Sequence, residues 1–307
     1  MITSSGWRLR AAALLLVVVA AAACSGSTAN PGNRMSVVTT STIFGDMVQR
    51  VGGDLVAVTS LVPRHADVHT FEPKADDLRA LSGARVVIMN GLRLDDWLRE
   101  TIEEGAKPDT KVVSLAEQLE GVDLLPGEEP GEENPHLWLS VPYAIKYVDR
   151  IEAALAAADP GNAAAYDRQA TAYGEELSEL DAEIRSRIAE IPETARRIVT
   201  FHDALPYFAR EYGIEIVGVA VEAPGQEPSA AKIAELVDAI RSAEVKAIFS
   251  EDQFPTHLID RIAAETGARV VSNLYTDSLG DPPLDTYVAI MRWDVDEVVA
   301  ALTGPGS

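Results

Sequence analysis

The chain has 307 residues, 47% hydrophobic and 24% charged, enough for one large or two medium domains with real cores, so disorder is not the expectation. Its formal net charge of −22 excludes nucleic acid as a natural partner, because such a surface repels phosphate. It would gather cations, although acidity also serves solubility alone.

Arg8 and Arg10 precede an unbroken apolar run over residues 11–23. That run is too short to cross a bilayer as a helix and reads as the core of a signal peptide spanning 1–23, which places the mature chain outside the cytoplasm. Cys24 is the single cysteine and cannot close an internal disulfide. Ala22 and Ala23 directly before it look like a bacterial lipobox, which makes Cys24 the expected lipid attachment site. Ala21, Ala22 and Ala23 also suit an ordinary A-x-A cleavage site, which would leave a fully secreted chain with a free cysteine. Residues 24–35, rich in Ser, Gly, Asn and Pro, read as the lipidated cysteine and a flexible tether.

From Met35 short β-branched runs alternate with helical patterns. Strands are predicted at 37–40, 56–62 and 85–89, with helices at 43–51 and 74–81, and this alternation implies a parallel sheet covered by helices. Residues 126–135 form an acidic Pro/Gly loop. Residues 162–191 contain no proline and only Gly174 as a helix weakener, so a single helix of about 45 Å is predicted there, ended by Pro192. A second series follows, with strands at 197–201, 214–219, 247–250 and 269–271 and helices at 204–212, 230–242 and 257–266. Ser229 is placed to cap the helix at 230–242. No internal repeat is evident. The fold class expected is α/β, with two lobes, each a parallel sheet flanked by helices, joined by one long rigid linking helix. The divisions expected are an N-terminal lobe at 36–160, the linking helix at 161–192 and a C-terminal lobe at 193–307.

Only five histidines occur. His69 lies beyond the predicted strand at 56–62, His136 lies beyond the acidic loop, and His202 directly follows the strand at 197–201. Asp277 lies beyond the last predicted strand. In open α/β sheets the ligand crevice lies outside the carboxyl ends of the strands, so these positions suit a site. The four are far apart along the chain, and their spacing does not by itself show that they converge. Taken singly, a lone histidine is more often a satisfied imidazole than a ligand.

Several segments are similar to the solute-binding lipoproteins of zinc and manganese ABC importers, the family that includes ZnuA, TroA and PsaA. Thr39, Thr40, Ser41, Thr42 and Ile43 resemble its opening strand and helix start. Residues 67–73 resemble its D-P-H-x-Y/F-E-P loop, with Val68 in the place of the usual proline. Asn90, Gly91 and Leu92 with Asp96, Trp97 and Leu98 resemble its N-G-L-x-x-E/D-x-W-L helix start, and residues 134–139 resemble its D/N-P-H-x-W-L segment. Thr200, Phe201, His202, Asp203 and Ala204 with Tyr207 and Phe208 resemble H-D-A-F-x-Y-F, and residues 275–280 resemble the closing L-Y-x-D-S/A-L-G. The matches keep the family's order from about residue 36 to residue 301.

The resemblance implies a metal held by His69, His136, His202 and Asp277, two from each lobe. Three imidazoles and one carboxylate suit zinc, with Mn2+ as the alternative, because manganese prefers more oxygen ligands. The short, histidine-free acidic loop before His136 tells somewhat against zinc. Glu72, Asp203 and Glu251 are the carboxylates placed to accept the other N–H of a ligand imidazole. His65 reads as a residue on the rim of the His69 loop that assists metal uptake, His257 as structural, and Trp97 and Trp138 as core or inter-lobe aromatics. Affinity is expected to fall steeply below about pH 6 as histidines protonate.

The function implied is that of an extracytoplasmic substrate-binding protein, not an enzyme, that delivers the metal to an ABC permease and its ATPase. It is expected to be a monomer, lipid-anchored to the outer face of the cytoplasmic membrane or periplasmic. Two alternatives stay open at this level, a metal-binding surface adhesin and a zinc metallohydrolase. No H-E-x-x-H, H-x-H, phosphate loop or nucleophile elbow favours the latter.

Overall fold

The structure is a computed structural model that describes residues 34–304 except 128–130 and 222–223. The signal peptide, Cys24 and all but the last residues of the tether lie outside the described residues.

The first lobe is built from β1 (Met35–Thr39), α1 (Thr42–Gly52), β2 (Val56–Ser60), α2 (Ala75–Gly83), β3 (Val86–Met89), α3 (Asp96–Gly105) and β4 (Lys111–Ser114). Its four strands are parallel in the order β2-β1-β3-β4, with Val37 opposite both Val58 and Val86. β3, the run Val86, Val87, Ile88 and Met89, is buried throughout, as a strand covered on both faces must be. The second lobe contains β5 (Arg197–Thr200), α6 (Pro206–Tyr212), β6 (Glu215–Val219), α7 (Ala230–Ser242), β7 (Ala247–Glu251), α8 (His257–Thr266) and β8 (Arg269–Leu274). The order β6-β5-β7-β8 repeats that of the first sheet, again all parallel. The expected fold class is therefore the one observed, and the two lobes share a topology that no sequence repeat betrays.

Between the lobes run α4 (Val141–Ala158) and α5 (Ala163–Ile188), and the chain closes with α9 (Tyr287–Thr303). The helix predicted at 162–191 is α5, 26 residues and about 39 Å long. It stops short of Pro192 because proline disfavours helical geometry in the residue before it. Ser229 does cap α7, its hydroxyl accepting from Lys232 N at 3.3 Å. Strand β4 and helices α4 and α9 are not among the elements predicted from the sequence. Both helices nevertheless bury one face at three- and four-residue steps, Val141, Ala144, Tyr147, Val148, Ile151, Ala154 and Leu155 in α4 and Tyr287, Ile290, Met291, Val295, Val298 and Leu302 in α9.

α5 is more than a strut. Tyr166, Ala170, Tyr173, Leu177, Leu180, Ile184 and Ile188 recur at three- and four-residue steps and are all buried. They pack against α1 and α4 on one side and α6 and α9 on the other. One continuous apolar cluster consequently runs from Val37 through α1, α4 and α5 to Ile198 and on to Leu302, spanning both lobes. The outer layers have separate cores, under α2 and α3 in the first lobe and under α7 and α8 in the second.

Candidate metal centre

The crevice between the lobes is lined by the carboxyl ends of their strands. His69 lies in the loop after β2, His202 follows β5 by two positions, Asp277 follows β8 by three, and His136 immediately precedes the 3-10 turn Leu137–Leu139. The His69 loop is pinned from behind, because Val68 is wholly buried and its carbonyl accepts from the Trp97 indole at 3.0 Å. Asp67 fixes it in front, accepting from His69 N at 2.9 Å and from the Thr70 hydroxyl at 2.6 Å. Trp138 donates to Thr276 O at 2.8 Å and so ties the His136 turn to the Asp277 loop across the crevice.

These ties bring all four residues together: one ligand atom from each of His69, His136, His202 and Asp277 lies within 4.8 Å of the others. Nε2 of His136 is 3.3 Å from Nε2 of His69 and 3.6 Å from Asp277 Oδ1. Asp277 Oδ2 lies 3.4 Å from His202 Nε2 and 3.9 Å from His69 Nε2. Four donors around a tetrahedral zinc at its usual bond lengths stand about 3.3 Å apart. His202 and Asp277 are fully buried, and His69 keeps 19% of its side chain exposed. His202 Nε2 and Asp277 Oδ1 are buried without a hydrogen-bond partner, a condition that costs free energy unless something else occupies the space between them.

The electrostatics have the same character. Burial, reinforced by the neighbouring His202, lowers His69 to about 3 and holds His136 well below its ordinary value, so both are neutral donors at any working pH. Burial also pulls on His202, but the charges of Glu251 and Asp277 and the Glu251 hydrogen bond outweigh it and raise His202 to about 9. Burial raises Asp277 to about 7, with Glu251 adding to the shift and His202 opposing it. The free site thus holds a proton on His202, between two carboxylates, where a cation would otherwise sit.

Of the carboxylates suggested as supports, Glu251 touches a candidate ligand, its Oε1 lying 2.8 Å from His202 Nδ1 with both side chains buried. A register irregularity between Phe249 and Glu251, where β7 pairs with β8, sets the end of the strand that carries it. Asp203 acts at one remove: His136 Nδ1 meets Asn134 Oδ1 at 3.0 Å, and Asn134 Nδ2 donates to Asp203 O at 2.7 Å and Oδ2 at 3.0 Å. Glu72 is exposed and none of the hydrogen bonds of the four candidate ligands runs to it. His257 is the first residue of α8 and lies outside the cluster. Two supports escaped the sequence reading. Gln253 donates to Asp277 Oδ2 at 3.1 Å, and Asn134 orients His136. Asn134 could have been found from its place two residues before a ligand in an Asn-Pro-His turn; nothing local marks Gln253.

Residues 37–301 match the family described as zinc-uptake complex component A, periplasmic. The chain is 32% identical to the manganese-binding lipoprotein MntA of Halalkalibacterium halodurans over 90% of this chain and 91% of that one. It is also 32% identical to the iron-binding protein YfeA of Yersinia pestis, covering 86% of this chain and 85% of that one. Among solved structures, the periplasmic zinc-binding protein TroA of Treponema pallidum superposes with a TM-score of 0.81 at 27% identity, over 88% of this chain and 99% of that one. The manganese-bound periplasmic metal-binding protein of Candidatus Liberibacter asiaticus gives 0.79 at 29% identity, over 88% and 100%.

Proposed function

Because the chain belongs to the family of the periplasmic zinc-uptake component A, whose members are solute-binding proteins and not enzymes, we propose that His69, His136, His202 and Asp277 hold its metal cargo and that the cargo is zinc. The protein is a metal-binding substrate-binding protein of an ABC transporter. The single observation that carries the ligand assignment is the convergence of those four side chains, from positions far apart in the sequence, with their donor atoms within 4.8 Å of one another. A donor set of three imidazole nitrogens and one carboxylate favours zinc. One observation favours manganese as a second reading. Both oxygens of Asp277 face the histidine nitrogens, so a bidentate carboxylate would enlarge the coordination shell toward what manganese prefers.

In this reading the metal enters the crevice, displaces the His202 proton, and is handed to a transmembrane permease whose ATPase supplies the energy. Export by the 1–23 segment and lipidation at Cys24 would hold a monomer at the outer face of the cytoplasmic membrane. Among the described residues no helix is long and apolar enough to cross a membrane. The metallohydrolase alternative has no support, since the family is not enzymatic.

The test is calorimetry on the protein after chelation. Wild type should bind one zinc per chain. His136→Ala should lose more affinity than the roughly 10–100-fold expected for removing a supporting hydrogen bond. An unchanged affinity in that variant would remove His136 from the ligand set. Zinc against manganese competition on the same sample decides between the two metals.

A further inference from the structure

The loop that carries His69 is attached to the opposite lobe by more than the metal centre. Arg64 donates through its guanidinium to Gly280 O, and His65 N donates to Ser278 Oγ at 3.1 Å. The His65 ring bridges two carboxylates: Nδ1 bonds to Asp252, and Nε2 lies 3.6 Å from Asp281 Oδ2. Among the described residues, the hydrogen bonds and ion pairs from residues 61–73 to the second lobe all start at Arg64 and His65, apart from His69 to Asp277 itself.

Each of these contacts lands beside the metal site. Asp252 stands between Glu251, which touches His202, and Gln253, which holds Asp277. Ser278 directly follows Asp277 in the sequence. The backbone shows that the arrangement is imposed from outside the loop. His65 has φ 60°, a left-handed conformation that a residue with a side chain adopts at a cost, and one that persists where surrounding contacts over-determine it. Its backbone N–H and both ring nitrogens are the groups engaged across the crevice. The Asp252 hydrogen bond, acting against burial, also raises the proton affinity of the ring, which keeps the bridge charge-assisted. The Asp281 contact is largely solvent-exposed, whereas the Asp252 side chain is only 33% exposed, so Asp252 is the stronger partner.

We propose that His65 is a positioning residue that clasps the His69 loop onto the Asp252 and Ser278 segments of the second lobe, and that this clasp sets how fast bound metal leaves. The inference rests on the ligand assignment above. With the clasp closed, His69 cannot swing away from Asp277 without breaking contacts four residues upstream. Opening it frees the most exposed of the four ligands first. Its location at the rim, with His65 38% exposed, leaves it accessible to whatever releases the cargo. This differs from the expectation that His65 assists uptake: a clasp acts on dissociation and leaves capture nearly untouched.

The experiment measures zinc release from the loaded protein into excess chromogenic chelator by stopped flow, with association rate and stoichiometry measured in parallel. The variants are His65→Gly, which accepts the φ of 60° without strain, Asp252→Asn, and the two combined. Each single variant is expected to release zinc about three- to tenfold faster, as for loss of a partly exposed charge-assisted bond. The double variant should be no faster than the faster single, because one interaction is removed either way. Association should stay at the wild-type rate, and the metal-free melting temperature should remain within about 2 °C. Wild-type release from both single variants, or effects that multiply in the double, would overturn the clasp while His136→Ala still loses zinc and upholds the ligand assignment. Full affinity in His136→Ala would overturn that assignment and the clasp with it.

Discussion

At the scale of single residues, the site is governed by what happens to charge when imidazoles and carboxylates are removed from water. His69 and His136 become permanently neutral, whereas His202, flanked by Glu251 and Asp277, keeps its proton up to about 9. This moves the acid limit of metal binding away from the ordinary histidine range. Because the metal must displace the His202 proton, affinity should rise about tenfold per pH unit from 7 to 9 and level off above 9. Below about 7 Asp277 holds a second proton, so the slope should steepen toward about a hundredfold per unit. The fall therefore begins well above the pH 6 that free histidines would suggest. Chelator-competition titrations across pH 6 to 10 check this, and Glu251→Gln should shift the plateau to lower pH by removing the charge that holds the proton on His202. A flat profile from 7 to 9 would mean that His202 is already neutral in the free protein.

At the scale of elements, α5 shows how a helix can be plain in the sequence while its role is not. The alanine- and glutamate-rich composition and the absence of proline predict a long helix, and one exists at Ala163–Ile188. Its buried stripe, with Leu177 and Leu180 fully enclosed, is what welds α1 and α4 to α9. Truncating Leu177→Ala should cost about 2–5 kcal/mol in chemical denaturation, the range for emptying a leucine-sized volume in a packed core. A cost below about 1 kcal/mol would show that the helix behaves as a free strut. α9 is instructive in a different way. Arg292, Asp296 and Glu297 lie off its buried stripe, but Asp294 falls within the stripe, 6% exposed and accepting from Tyr275 N at 3.0 Å, and only a tertiary contact accounts for that carboxylate.

At the scale of the whole molecule, the shared core argues against wide opening. Separating the lobes would expose the cluster that reaches from Val37 to Leu302, in addition to breaking Trp138 to Thr276, Leu279 N to Thr42 at 2.8 Å and Tyr287 N to Asp46 at 2.9 Å. Metal loading is therefore expected to reorder loops around His69 and Asp277 and leave the lobes in place. The same continuity predicts a single calorimetric unfolding transition with matching calorimetric and van't Hoff enthalpies. Zinc at about 100 times its dissociation constant should stabilise that one transition by about 2.7 kcal/mol. Two resolved transitions, only one of them moved by zinc, would show that the lobes fold as separate units.

The sequence by itself determined the alternation of strands and helices, the long central helix, the cap at Ser229 and the residue types available for metal chemistry, because each of these is written in local pattern and composition. Its family motifs also marked His69, His136, His202 and Asp277 as candidate ligands. What only the tertiary structure decided was distance and environment. These include the 3.3 Å between two histidine nitrogens, the Glu251 carboxylate beneath His202, the hold of Gln253 on Asp277 and the bridge from His65 to Asp252. The physical reason is that spacing along the chain carries no information about separations between loops the fold brings together, and a side chain's proton affinity depends on neighbours that lie far from it in the sequence.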